Sequence, residues 1–159
     1  LDARAHARMA GYNRAMEEAK LPTDGLVATT PRPSSVSAGG ELLGSILGRG
    51  VGLEALFCCD DNLALGALFE CQRRGIAVPD RISIVGFNDL EFAACAHPPI
   101  TSVATPRYEM GRLASEIVMK IIETGERPDN RRIDVGFAIR ERGSTQATAR
   151  PQARRALSE

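Results

Sequence analysis

The chain has 159 residues, 43% of them hydrophobic, with 20 lysines and arginines against 20 aspartates and glutamates. A chain of this size forms at most one ordinary domain with a packed core. Its balanced charge argues against extensive binding to a phosphate backbone, and no run of about 18 apolar residues exists to span a membrane. Because the chain begins with leucine, we expect it to be part of a longer protein.

The first third of the chain predicts a helix, a strand and a second helix. Apolar residues recur at helical spacing through residues 1–20, which predicts the first helix. A short strand is expected at 26–29. Ser37 is expected to cap a helix over 38–47.

Residues 55–86 predict a strand–helix–strand unit. The strand at 56–59 is followed by a helix at 62–74, which ends at Gly75, and by a strand at 82–85. This order predicts a right-handed crossover between parallel strands. Polar side chains at the carboxyl ends of such strands face the crevice where ligands bind.

The rest of the chain continues the alternation of helices and strands. We expect a short helix within 87–99, a strand at 101–104, a helix at 107–123 and a final strand at 133–140. Residues 144–159 are rich in Ser, Thr, Gln, Ala and Arg and predict a disordered tail. The buried face of the 107–123 helix is expected to comprise Met110, Leu113, Ala114, Ile117, Val118 and Ile121.

The four cysteines and two histidines show no metal-binding or catalytic spacing. No Cys-x-x-Cys pair is present, which argues against zinc and a disulfide framework, so we expect reduced thiols in a cytoplasmic protein. His97 has no nucleophile or acid partner at helical or strand spacing. We therefore expect no metal, no cofactor and no enzymatic activity.

An acidic pair, Asp60 and Asp61, follows the strand at 56–59. Two such carboxylates could bind a divalent cation, accept a phosphoryl group or bind a polyol, or they could cap the next helix. We expect Asp61 to be mainly a cap and Asp60 mainly to face the crevice. Response-regulator receivers share the acidic pair but need a lysine at a later strand end, and Lys20 and Lys120 both fall in predicted helices.

Arg4 and Arg8 lie four residues apart and share a face of the first helix. If that helix points its amino end at the crevice, the two guanidinium groups could hold a carboxylate. An ordinary solvated helix face is the alternative, and spacing alone favours it.

Several segments, in order over residues 4–143, resemble the LacI/GalR transcription regulators. One of these segments resembles the family's strand followed by Asn-Asp and x-x-Ala-x-Gly-Ala, with Asp60 and Asp61 at the Asn-Asp positions. The segments are 8–12 (RMAGY), 57–67 (FCCDDNLALGA), 74–80 (RGIAVPD), 82–89 (ISIVGFND), 98–103 (PPITSV) and 110–114 (MGRLA).

The resemblance implies an α/β fold of the periplasmic-binding-protein-like type I, with two doubly wound parallel-sheet subdomains and an effector between them. This chain would be incomplete. Residues 1–98 would belong to the C-terminal subdomain, and 99–130 would be a crossover strand and helix of the N-terminal subdomain. Residues 131–143 would return to the C-terminal subdomain. The helix-turn-helix that binds operator DNA would lie upstream.

The resemblance also implies effector contacts. Arg8 matches the family's ligand-binding arginine, and Phe87 fills an aromatic position beside Asn88. Asp60 stands where many members have Asn, and Asn88 stands where many have Asp, which suggests an altered effector. A loop carrying Ser34 and Ser35 reaches the cleft in relatives.

A subgroup resemblance points to an acidic effector. Residues 69–73, 105–107 and 134–137 resemble gluconate-utilisation repressors of the LacI type. Arg4 and Arg8 suit a carboxylate, while Asp60, Asn88 and the serines suit hydroxyls. The implied effector is a sugar or sugar acid such as gluconate.

The resemblance implies a cytoplasmic homodimer that contacts its partner through the 62–74 helix and residues 90–95. It would bind operator DNA only through the upstream domain. The alternative function is a sugar-binding protein of an ABC transporter, which a signal peptide in place of a helix-turn-helix would reveal. An enzyme using Asp60 as acid or base is a further alternative, but no complementary group is visible.

Overall fold

The computed structural model describes residues 2–127 and 132–145, which form a mixed four-stranded sheet and five helices. No helix in these ranges has both the length and the apolar content needed to cross a membrane. The strands are β1 (Ala55–Phe57), β2 (Ser83–Phe87), β3 (Thr101–Ala104) and β4 (Ala138–Arg140), and the helices are α1 (Ala3–Glu18), α2 (Val36–Gly48), α3 (Asp61–Arg73), α4 (Glu91–Cys95) and α5 (Arg107–Thr124).

The sheet has the order β1-β2-β3-β4. The first three strands are parallel, with Leu56 opposite Ile84 and Val85 opposite Thr101, whereas β4 runs antiparallel to β3. The predicted α/β class with parallel strands is therefore confirmed, and the sheet is partial and open. Because β1, β2 and β3 are parallel, their carboxyl ends lie at one edge.

The core lies where α2 and α3 pack together beside the sheet. Its large buried side chains include Leu43 from α2, Leu68 from α3 and Ile84 from β2. The two helices approach so closely that a Cβ on Gly66 would lie 1.9 Å from the Val36 carbonyl oxygen. Glycine is therefore required at this crossing, although it lowers intrinsic helix stability.

Helices α1 and α5 contain no buried residue. The prediction of a buried apolar face on α5 is wrong for the described chain, in which Leu113, Ile117 and Ile121 are only half-buried. Tyr108 and Ile122 are 85% and 71% exposed. The apolar pattern is present, but within the described residues no element covers it.

Two predictions for residues 19–48 need correction. No strand forms at 26–29, where the Arg49 side chain donates to the Val27 carbonyl at 2.8 Å and to that of the preceding Gly25 at 2.9 Å. Helix α2 starts earlier than predicted because Ser35, not Ser37, caps it.

The carboxyl-terminal boundaries also differ from the prediction. Strand β3 pairs with β2 in the same sheet, so residues 101–104 are not part of a separate subdomain. Ser144, in the predicted tail, is buried; its Oγ accepts from Thr101 N at 2.8 Å and donates to the Ile84 carbonyl at 2.5 Å. The remainder of the predicted tail, 146–159, lies outside the described residues.

Candidate functional site

Polar residues gather where the three parallel strands end. Asp60 and Asp61 follow β1, Asn88 and Asp89 follow β2, and the segment leading to Arg107 follows β3. This edge is where open α/β sheets bind ligands. Within residues 2–127 and 132–145, no three His, Cys, Asp or Glu side chains are grouped to hold a metal ion.

The helix cap falls on Asp60 and not, as predicted, on Asp61. Asp60 is the N-cap of α3: its backbone is extended, and its Oδ1 accepts from Leu63 N at 3.0 Å. Asp61 is fully buried, and it accepts from Ser102 Oγ at 2.7 Å and from Leu90 N at 2.6 Å. Asp61 is the first helical residue and faces the sheet, whereas Asp60 precedes the helix and is half-buried.

Burial and hydrogen bonding oppose each other at Asp61. Burial raises the pKa of this carboxyl above its ordinary value, while the bonds from Leu90 and Ser102 lower it. The side chain lies against β2 at Gly86, where a Cβ would sit 2.1 Å from Asp61 Oδ1. Gly86 therefore makes room for a carboxylate that ties three elements together.

The turn after β2 has an uncommon backbone conformation. Asn88 and Asp89 have φ angles of 103° and 54°, in the region that non-glycine residues rarely adopt. Asn88 N donates to the Val103 carbonyl at 2.9 Å, and Asp89 N donates to Ser102 Oγ at 3.0 Å. The turn is thus fixed to β3, with the Asn88 side chain half-buried at the sheet edge.

Asp89 is the centre of a charged cluster that the sequence did not predict. Arg142 Nη2 lies 2.7 Å from Asp89 Oδ1, an ion pair without the geometry of a directed hydrogen bond. Arg140 Nε lies 3.9 Å from Oδ2, and Arg107 Nη2 donates to the Asp89 carbonyl at 3.4 Å. Arg140 and Arg142 are visible in the sequence at and just after the last strand, but their spacing does not indicate that they meet Asp89.

Arg8 reaches this edge, and Arg4 does not share its contact. The Arg8 guanidinium carbon lies 3.9 Å from the centroid of the Phe87 ring. Arg4 is 81% exposed at its side chain and pairs with Asp2 at 3.0 Å. Burial raises the pKa of the Cys59 thiol, and the positive charge of Arg8 opposes that rise. Arg8 therefore lies near the end of β1 as well as β2.

The two serines of the predicted site are exposed. Ser35 Oγ accepts from Ala38 N at 3.1 Å and so caps α2. Arg8, Asp60, Phe87 and Asn88 thus lie together at the strand ends. Ser35 instead has a structural role as the cap of α2.

Comparison with known proteins agrees with this architecture. The profile of the periplasmic binding protein-like domain matches residues 2–145. The HTH-type transcriptional regulator GntR of Pseudomonas aeruginosa is 42% identical over 145 residues, which are 91% of this chain and 42% of that protein.

Two solved structures are similar as well. The transcription regulator GntR from Chromobacterium violaceum superposes with a TM-score of 0.86 at 44% identity, over 92% of this chain and 54% of that one. A LacI-type transcription regulator from Bifidobacterium animalis subsp. lactis has a TM-score of 0.81 at 28% identity, over 89% and 50% of the two chains.

The profile match and the shared fold define the class of protein. The chain belongs to the periplasmic binding protein-like domain family, in the form found in LacI-type transcription regulators. Regulators named GntR are among its relatives. The chain spans 42% of the length of the Pseudomonas regulator, so the activity of a complete protein is a matter for proposal.

Proposed function

We propose that this chain is the effector-binding and dimerisation portion of a LacI-type transcription regulator, and that its effector is a sugar acid such as gluconate. The observation that carries the proposal is the Arg8 guanidinium stacked on Phe87 at the edge where the parallel strands end. Similarity to regulators named GntR supports the subgroup.

The stacked arginine suits a carboxylate. An aromatic ring attracts the face of a guanidinium, which holds its plane in one orientation. The edge of the group keeps its N–H donors, and these match the two oxygens of a carboxylate. Arg8 is half-buried, so its charge is less screened than that of the exposed Arg4. We assign Arg8 the main carboxylate contact and Arg4 a lesser one.

Asp60 and Asn88 suit the hydroxyl groups of the same ligand. Asp60 uses Oδ1 for the helix cap, which leaves Oδ2 to accept from a hydroxyl. The Asn88 amide can donate and accept. Asp60→Asn tests this assignment cleanly, because asparagine is also a good N-cap and retains the helix start. Weaker effector binding by Asp60→Asn would support a carboxylate acceptor at this position, and unchanged binding would show that the charge of Asp60 is not needed.

Titration calorimetry of the complete protein tests the effector class. Gluconate, 6-phosphogluconate and glucose are the ligands to compare. We expect one of the two acids to bind at least about tenfold more tightly than glucose, because a charged hydrogen bond contributes about 1.5–3 kcal/mol. Tighter binding of glucose would contradict the acid assignment.

Regulation would follow from a population shift. An effector in the cleft favours one arrangement of the two subdomains, and that arrangement changes how a cytoplasmic homodimer presents its upstream DNA-binding domains. Fluorescence anisotropy with labelled operator DNA tests this step. Operator affinity should change when the effector is added, and an unchanged affinity at saturating effector would exclude a regulatory response.

A further inference from the structure

We propose that Asp89 and Arg142 form a positioning pair that holds Asn88 in the conformation needed to bind the effector. The inference rests on the proposed function, since it takes Asn88 as an effector contact. It adds two residues that do not themselves contact the effector.

The conformation of the turn requires support from its surroundings. Asn88 and Asp89 both have positive φ angles, 103° and 54°. Non-glycine residues keep such conformations only where neighbouring groups hold them, and these positions concentrate at functional sites. The backbone N–H groups of the turn are held from the sheet side by Val103, Ser102 and Asp61.

The side chain of Asp89 supplies a further support through its ion pair with Arg142. The Asp89 and Arg142 side chains are 22% and 20% exposed, so water screens their 2.7 Å ion pair only partly. Arg140 is 63% exposed and lies 3.9 Å from the same carboxylate, which makes it the weaker partner.

Arg142 is itself fixed to the sheet. Its Nη1 donates to the Ile100 carbonyl at 2.9 Å, and its backbone N donates to Thr101 Oγ1 at 2.8 Å. Because Arg142 cannot follow a displaced Asp89, the pair defines where the turn sits. Asn88 immediately precedes Asp89 in the turn. The position of the Asn88 side chain therefore depends on where the Asp89–Arg142 pair holds the backbone.

Asp89→Asn and Arg142→Gln are the test variants. Asparagine keeps the shape of Asp89 and tolerates its positive φ, so the first change isolates the charge. In the complete protein, each variant should weaken gluconate binding by about tenfold in calorimetry. Glu116→Gln is the matched control, because it removes an arginine-paired carboxylate from α5 nine residues beyond Arg107, and it should leave the Kd unchanged.

A mutant cycle separates positioning from a general loss of stability. Asn88→Gly removes the side chain and accepts the φ of this position. In that background Asp89→Asn should weaken binding by less than about twofold, because the side chain through which it acts is gone. A further tenfold loss in the Asn88→Gly background, or normal affinity in the Asp89→Asn variant alone, would overturn the proposal.

Hydrogen exchange tests the pair without any ligand. Mass spectrometry should show faster exchange across residues 83–95 in Asp89→Asn and Arg142→Gln than in the wild type, with 112–124 unchanged. Unchanged exchange across 83–95 would overturn the positioning role. If the wild type bound neither sugar acids nor neutral sugars, the proposed function would fail. Hydrogen exchange would still show whether Asp89 and Arg142 hold the turn.

Discussion

At the scale of single residues, the adjacent aspartates after β1 have different roles although they are neighbours in the sequence. Asp60 stands outside the helix and caps it, while Asp61 is inside the first turn and points to the sheet. Each of the two oxygens of Asp61 accepts a bond from a different element. Asp61 is therefore a structural centre, and Asp60 remains the member of the pair available to a ligand.

Alanine substitutions should distinguish these tasks. Asp61→Ala leaves the Leu90 amide and the Ser102 hydroxyl without their acceptor in a buried place, so the free energy of unfolding should fall by about 3 kcal/mol. Asp60→Ala removes one cap and should cost about 1 kcal/mol. Urea denaturation measures both. A larger loss for Asp60→Ala than for Asp61→Ala would contradict the assignment.

The contrast between Arg8 and Arg4 belongs to the same scale. Arg8→Ala should raise the Kd for gluconate by about 10- to 100-fold, since it removes a charged hydrogen-bonding partner at the stacked position. Arg4→Ala should raise it by no more than about threefold, because its side chain is exposed and screened. Calorimetry measures the Kd of both variants. Equal effects would show that stacking on Phe87 does not make Arg8 the main carboxylate contact.

At the scale of elements, α3 has a face packed on the core and an outer face with a compact charged group. Glu70 pairs with Arg73 at 2.6 Å and with Arg74 at 2.5 Å. Hydrogen bonds from these two arginines lower the pKa of the Glu70 carboxyl from 4.5 to about 2. The group lies beside a shallow groove between α2 and α3.

This pKa predicts the sign of a pH effect. Because the pKa of Glu70 is lower in the folded state, its stabilising contribution is present above pH 4.5 and is lost as the pH falls towards 2. The Glu70→Gln variant should lose less stability over that interval than the wild type. Urea denaturation across the interval checks this, and added salt should reduce the difference. Identical pH slopes would contradict the ion-pair account.

Element by element, periodicity predicted most of the fold. Strand β3 lies at the predicted residues, and Gly75 and Gly125 have the left-handed φ angles of 67° and 72° expected after helices. The strand predicted at 26–29 does not form, and the Val27 carbonyl within it accepts instead from a distant side chain, Arg49. A hydrogen bond between a side chain and a carbonyl 22 residues away leaves no pattern in the local sequence.

The site was predictable only in part for the same reason. Parallel strand order indicated which residues share an edge, and Asp60, Phe87 and Asn88 do lie there. The pairing of Asp89 with Arg142 joins residues more than 50 positions apart, and sequence spacing alone cannot predict it. The cap falls on Asp60 instead of Asp61 because the helix starts one residue earlier than predicted, which turns the Asp61 side chain to the sheet.

At the scale of the whole molecule, apolar surface remains on several elements. Phe69 on the outer side of α3 is 50% exposed beside the α2–α3 groove. An exposed aromatic next to arginines is typical of the centre of a protein interface. We assign this surface, together with residues 90–95, to the proposed homodimer.

Phe69→Glu tests the dimer assignment. The substitution removes the aromatic side chain from the centre of the contact and puts there a carboxylate that must lose its water, so the dimer dissociation constant of the complete protein should rise by at least about tenfold. Analytical ultracentrifugation measures it. Met119→Glu on α5, where the native side chain is 53% exposed, is the matched control. A Phe69→Glu protein that remains as dimeric as the wild type would contradict the assignment.

The central claim is that the ends of the parallel strands bind a sugar acid, with Arg8 as its carboxylate contact. A crystal structure of the complete protein with gluconate tests this most directly. The account predicts the carboxylate within hydrogen-bonding distance of the Arg8 guanidinium, which remains stacked on Phe87, and hydroxyl groups on Asp60 and Asn88. A gluconate molecule bound with its carboxylate away from Arg8, or bound away from these strand ends, would contradict it.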